Sequence, residues 1–258
     1  MSDPAPRPDL PPAPRSDGTR RMKAILVVAG AAAFVTAPFV TSGFGGFAPD
    51  IFPIPQDRPP VQPAGYAFGI WGPIYLGLVA QALFGLLARA EDPGWDRGRW
   101  PLIVSLAVGA SWIAVANTSA VWATVLIWIM LAGALGALAL TGRGEGWAAS
   151  GPDRWVAQLP LGVYAGWLTA ASWVAVGFML GGYGVLSPVW AAALSVPGAV
   201  AMALFVQLWL WRAPEYGLTV IWALVAVGVA NWASAWGLVA AAALGCAAMA
   251  AAVIRVLR

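Results

Sequence analysis

The sequence predicts an all-α integral membrane protein, a polytopic bundle of about eight transmembrane helices. Three observations carry this. Only 14 Lys+Arg and 11 Asp+Glu occur in 258 residues. Sixty per cent of the chain is hydrophobic and its mean hydropathy is +0.77, whereas soluble domains carry about 25% charge and about 45–50% apolar residues. The charges also cluster, leaving residues 24–49, 59–88, 100–142, 155–211 and 216–254 uncharged. A spanning helix needs about 20 apolar residues for a core of roughly 30 Å. The first two gaps therefore hold one helix each, and the last three hold a hairpin each.

The expected spans are 23–42, 66–88, 101–118, 121–141, 155–180, 187–211, 216–231 and 236–257. Residues 1–22 form a Pro-rich tail, expected to be disordered and cytoplasmic, because few apolar groups offset the entropy of ordering it. The run at 23–42 is read as a retained helix, since further spans follow it. Residues 43–65 hold Pro49, Pro53, Pro55, Pro59, Pro60 and Pro63. Loops of this length are usually functional, and this one is expected to act as a lid over the outer mouth of the bundle. Hairpin reversals are signalled by Asn117-Thr118-Ser119, Gly181 to Gly184, and Asn231 to Ser234. Pro101, Pro188 and Pro214 stand at or just before expected helix starts, where a missing N–H costs little.

Threading the spans with the N-terminus inside puts every Lys and Arg on the cytoplasmic side except Arg58. The positive-inside rule then places both termini in the cytoplasm, in a bacterial-type inner membrane.

Composition also excludes chemistry. There is no His and one Cys, Cys246, so His- or thiolate-based metal sites and Ser-His-Asp or Cys-His nucleophiles cannot be built within one chain. No Asp or Glu falls mid-span, which argues against ion coupling. No basic stripe suggests nucleic acid. The distinctive residues are the 16 Trp. Trp95, Trp100, Trp147, Trp155, Trp209 and Trp211 fit an inner interfacial belt, and Trp122, Trp190, Trp232 and Trp236 an outer one. Trp71, Trp112, Trp128, Trp167, Trp173 and Trp222 lie within spans. Phe68, Trp71 and Tyr75 share one helical face, as do Pro160, Tyr164, Trp167 and Ala171. Gly162 with Gly166 would let helices approach closely.

The run Pro63-Ala64-Gly65-Tyr66-Ala67-Phe68-Gly69-Ile70-Trp71-Gly72-Pro73-Ile74-Tyr75 resembles the second-helix signature of the TspO/MBR family of tryptophan-rich sensory proteins. Leu159-Pro160-Leu161-Gly162-Val163-Tyr164-Ala165-Gly166-Trp167 resembles its fifth-helix motif. Tyr66 replaces a family Trp, and one residue is missing between Phe68 and Trp71. Trp112 and Asn117 stand on the third helix in reversed order. The resemblance implies a five-helix core over 23–180 and a three-helix extension over 181–258. It implies a sensor or carrier, often dimeric, that binds a tetrapyrrole or similar flat hydrophobic ligand. Phe68, Trp71, Tyr75, Trp112, Asn117, Tyr164 and Trp167 would line the pocket. No cofactor is obligatory and no metal is expected; a porphyrin or haem-like ring would be ligand. The partners are the bilayer and the ligand. Alternatives are an uncoupled transporter of a neutral or amphipathic solute, light-dependent porphyrin breakdown in the same pocket, and an accessory subunit.

Overall fold

A computed structural model describes residues 17–41, 44–142 and 151–258. Eight helices follow one another: α1 Asp17–Val40, α2 Trp71–Leu87, α3 Pro93–Ala116, α4 Ala120–Leu140, α5 Leu159–Gly182, α6 Pro188–Leu210, α7 Pro214–Asn231 and α8 Trp236–Leu257. All eight are long and apolar enough to cross a membrane, α2 together with the 3₁₀ turn Gly65–Ile70 that leads into it. Among the described residues there is no strand. With chain direction alternating, all described Lys and Arg but Arg58 fall toward one end of the bundle, and the Pro-rich loop closes the other.

Boundaries differ from expectation at two places. α1 begins at Asp17, so residues 17–22 are helical rather than tail; residues 1–16 lie outside the described residues. α3 begins at Pro93, eight residues before the expected start, and Pro101 lies inside it. Its first turns carry Asp96, Arg97 and Arg99, which read as loop in sequence. The Asp92 carboxylate starts the helix by accepting from the Gly94 and Trp95 N–H groups at 2.7 and 3.0 Å. Ser119 and Ser187 cap α4 and α6 in the same manner.

α5 is the axis of the molecule. Every residue from Pro160 to Ala170 except Val163 is buried, and α5 packs against α2, α4, α6 and α7. Two features allow this. A π-helical turn at Arg154–Gln158 precedes Pro160, which seats against Gly77 of α2. Gly162 and Gly166 face α7; a methyl group on Gly166 would stand 2.5 Å from the Tyr216 carbonyl oxygen. Two hydroxyl pairs pin α5 in the core: Tyr164 to Ser105 of α3, and Thr169 to Tyr216 of α7, each at 2.9 Å.

The charged end is held by polar bonds. The buried Arg99 guanidinium donates to the carbonyls of Arg20, Gly85, Arg89 and Ala90, at 2.7–3.3 Å. It thereby satisfies the exposed end of α2. Arg89 forks onto Asp153, at 3.0 and 3.1 Å; that hydrogen bond holds Arg89 above the ordinary guanidinium pKa. Trp95, expected in the belt, is buried instead, and its indole N–H donates to Asp153 at 3.1 Å. Trp100, Trp122, Trp155, Trp190, Trp209, Trp211, Trp232 and Trp236 are exposed, as belt residues must be; Trp147 and Arg143 lie outside the described residues.

Candidate functional site

Two adjoining apolar cavities occupy the half of the bundle beneath the Pro-rich loop. The first, the larger in outline, spans about 820 Å³ with its open mouth and adjoining solvent included. Its walls come from α3, α4, α5, α6, α7 and the loop. The second, about 690 Å³ on the same measure, lies toward α1 and α2. Phe44, Phe68, Trp112, Ile127, Trp167 and Ala171 border both. Away from the open mouths the free space is about 80 Å³ in the first and about 150 Å³ in the second, below the roughly 300–1,000 Å³ of small-molecule pockets, so a ligand of that size would also occupy the mouth or spread the walls. No charged residue lines either cavity among the described residues.

Phe44, Phe68, Trp112 and Trp167 make the partition between the cavities aromatic, with Trp71 and Tyr75 on the side of the second. Trp71 stacks on Tyr75 one turn later, with centroids 5.4 Å apart and planes 22° apart. Trp167 meets Trp71 and Phe68 edge-on, at 6.2 and 5.9 Å. Phe44 meets Trp112 at 4.6 Å. Each such pair contributes about 0.5–1.5 kcal/mol beyond buried area. The Trp112 indole donates to the Ala123 carbonyl at 2.8 Å, which fixes its ring plane.

Phe68, Trp71, Tyr75, Trp112 and Trp167 therefore converge on one region. Tyr164 does not line it. Its ring lies behind Phe34, centroid to centroid 5.8 Å, and its hydroxyl is spent on Ser105. Asn117 is the C-cap of α3 and is exposed at the bundle end. Trp128 and Trp173 pack edge-on at 5.9 Å, and only Trp173 reaches the larger cavity. Trp222 is 40% exposed, and its indole N–H donates to the Ala67 carbonyl at 3.2 Å.

Sequence reading missed three groups. Phe34 of α1 packs edge-on against Trp71 and Tyr75, at 5.8 and 5.3 Å. Phe44, Phe47 and Phe52 peg the loop to the bundle: Phe52 stacks on Phe178 of α5 at 5.7 Å, and Phe47 meets Phe178 at 5.3 Å. Their spacing in the loop was the available signal. The third group is Ser195 of α6 with the apolar Val196, Ala199, Val220, Ala223, Leu224 and Val227 of α6 and α7, positions that no periodicity marks in helices apolar all round.

The loop is strapped across the larger cavity. Its residues Gly46, Phe47, Val61, Gln62 and Pro63 form part of the wall. Ile54 N–H donates to the Gly182 carbonyl at 2.9 Å, and Ala64 N–H to that of Ala226 at 3.0 Å. Asn231 at the end of α7 donates to Pro60 and Val227 carbonyls, at 2.8 and 2.9 Å. Gly177 and Gly182 leave room for Val61 and Phe52. Inside the cavity wall, Ser195 is 1% exposed and its Oγ has no hydrogen-bond partner. Leaving a buried hydroxyl unpaired costs about 1–3 kcal/mol.

Eight spanning helices, a strapped loop and an aromatic, charge-free cavity define a polytopic membrane protein with a built pocket for apolar matter. A family model described as TSPO-like protein matches residues 55–256. The chain belongs to that family, and the match takes in α6, α7 and α8 as well as the signature helices. No curated protein and no solved structure matches the chain.

Proposed function

We propose that the protein binds a flat hydrophobic ligand, a tetrapyrrole or a molecule of similar shape, in the aromatic cavity, as a sensor or carrier rather than an enzyme. The observation that carries this is the meeting of Phe68, Trp112 and Trp167 at the boundary of two charge-free cavities, with Trp71 and Tyr75 beside them on the wall of the second. Indole and phenol faces offer stacking surfaces to a macrocycle. Any ionised substituent has to stay at the mouth, because nothing inside compensates its lost hydration. In this reading the strapped loop lies on the non-cytoplasmic side, with the cation-rich end and both termini in the cytoplasm.

Titration of protoporphyrin into the purified chain should quench Trp emission saturably. Trp167→Ala should weaken the affinity roughly tenfold, since it removes one buried aromatic face, and Trp71→Ala should do likewise. Quenching that is absent, or indifferent to both substitutions, would sink the reading. Bleaching of the bound ring only under illumination would turn it toward degradation.

A further inference from the structure

Resting on that binding reading, we propose that Ser195 is the polar anchor of the larger cavity, and that the favoured ligand carries one uncharged hydrogen-bonding group on the edge that meets α6. Two serine hydroxyls among the described residues are buried and unpartnered, Ser172 and Ser195. Only Ser195 borders the cavity. Helical serines ordinarily settle their hydroxyl on the carbonyl four residues earlier; here that carbonyl would be Ala191, and no such bond forms. Across from it stands Gly177, and the Ser195 Oγ lies 3.0 Å from where a Gly177 side chain would begin. With glycine there no α5 side chain covers the hydroxyl; Val61 of the loop packs into that place instead, 2.7 Å from the same point, and the hydroxyl is sealed from solvent.

Two other occupants fit poorly. An enclosed water needs two to four polar partners. Among the described residues the wall otherwise offers Gln62 of the loop and the indole N–H groups of Trp112, Trp167 and Trp173, of which Trp112 already donates to the Ala123 carbonyl and Trp173 to Met202 Sδ. An ionised group would leave bulk water for a single hydroxyl, a large net loss. A hydroxyl, carbonyl, ether or ring N–H matches what Ser195 can offer, since the hydroxyl both donates and accepts.

The test uses three probes of one flat skeleton: pyrene, 1-pyrenemethanol and 1-pyrenecarboxylate. Each is titrated into the full chain in detergent, and energy transfer from Trp is followed. 1-Pyrenemethanol should bind roughly five- to tenfold more tightly than pyrene, the worth of one good hydrogen bond, and 1-pyrenecarboxylate more weakly than either. Ser195→Ala should bring the ratio of alcohol to hydrocarbon affinity to about one, and Ser195→Thr should keep it. The ligand-free thermal midpoint of Ser195→Ala should equal or exceed that of the native chain, because an unpaired hydroxyl is removed. A native chain without the preference, or a preference that survives Ser195→Ala, overturns the anchor while pyrene binding still upholds the cavity. Failure of all three probes to accept energy overturns both.

Discussion

Gly166 lacks a side chain for a reason that lies on another helix. An added Cβ would press 2.5 Å from the Tyr216 carbonyl oxygen and 2.9 Å from Thr219 Cβ, and a helix backbone cannot step aside as a flexible side chain can. Gly166→Ala should therefore lower stability by about 1–3 kcal/mol, read as a lower thermal midpoint in detergent. Gly72→Ala, with open space around it, is the control and should be neutral or stabilising. Arg99 makes a comparable point about charge. In sequence it is one more cation beside a span. In the fold it is 3% exposed, and its fork closes the end of α2. Arg99→Ala leaves those carbonyls without their donor and should cost about 3 kcal/mol. Arg99→Lys should recover only part of that, since an ammonium lacks the planar fork. The same thermal measurement checks both.

At the scale of the element, the loop before α2 behaves as a strap. Its prolines predict stiffness, but they do not say where it docks. That is decided by Phe52 on Phe178, by two backbone bonds to α5 and α7, and by Asn231. Asn231→Leu removes both side-chain bonds and should raise amide exchange at Ile54 and Ala64 while leaving the helix interiors protected. Unchanged exchange would mean that the phenylalanine pegs hold the strap unaided. Legibility divides along the same line. The stripes Phe68–Trp71–Tyr75 and Trp167–Ala171 were visible because large aromatics at helical spacing stand out from aliphatic neighbours. Tyr164 shares the fifth-helix stripe yet faces the core between α3 and α1, because period fixes a face and not the neighbour that face meets. The walls from α6 and α7 were invisible, since Ala and Val positions in a wholly apolar helix carry no phase.

At the scale of the molecule, the gaps between charges predicted all eight helices, because hydrocarbon excludes charge whatever the packing. Their ends were less legible where charge and helix coexist, as in the first turns of α3 with Asp96, Arg97 and Arg99. The single native thiol makes sidedness directly measurable. In a Cys246→Ser background, Arg58→Cys should react with a membrane-impermeant maleimide added outside sealed cells, and Arg258→Cys only after lysis. The reverse pattern would invert the proposed orientation. The strap also sets an order of events in biosynthesis. Pro60 and the Asn231 that grips it are 171 residues apart, so at about 5–20 residues per second roughly ten to thirty seconds of translation separate them. Throughout that interval the nascent strap has no α7 to grip, and the larger cavity lacks a wall. Under the proposed binding reading, a ligand would find its full pocket only once α7 has been made, and a chain stalled after its fifth helix would offer only part of it.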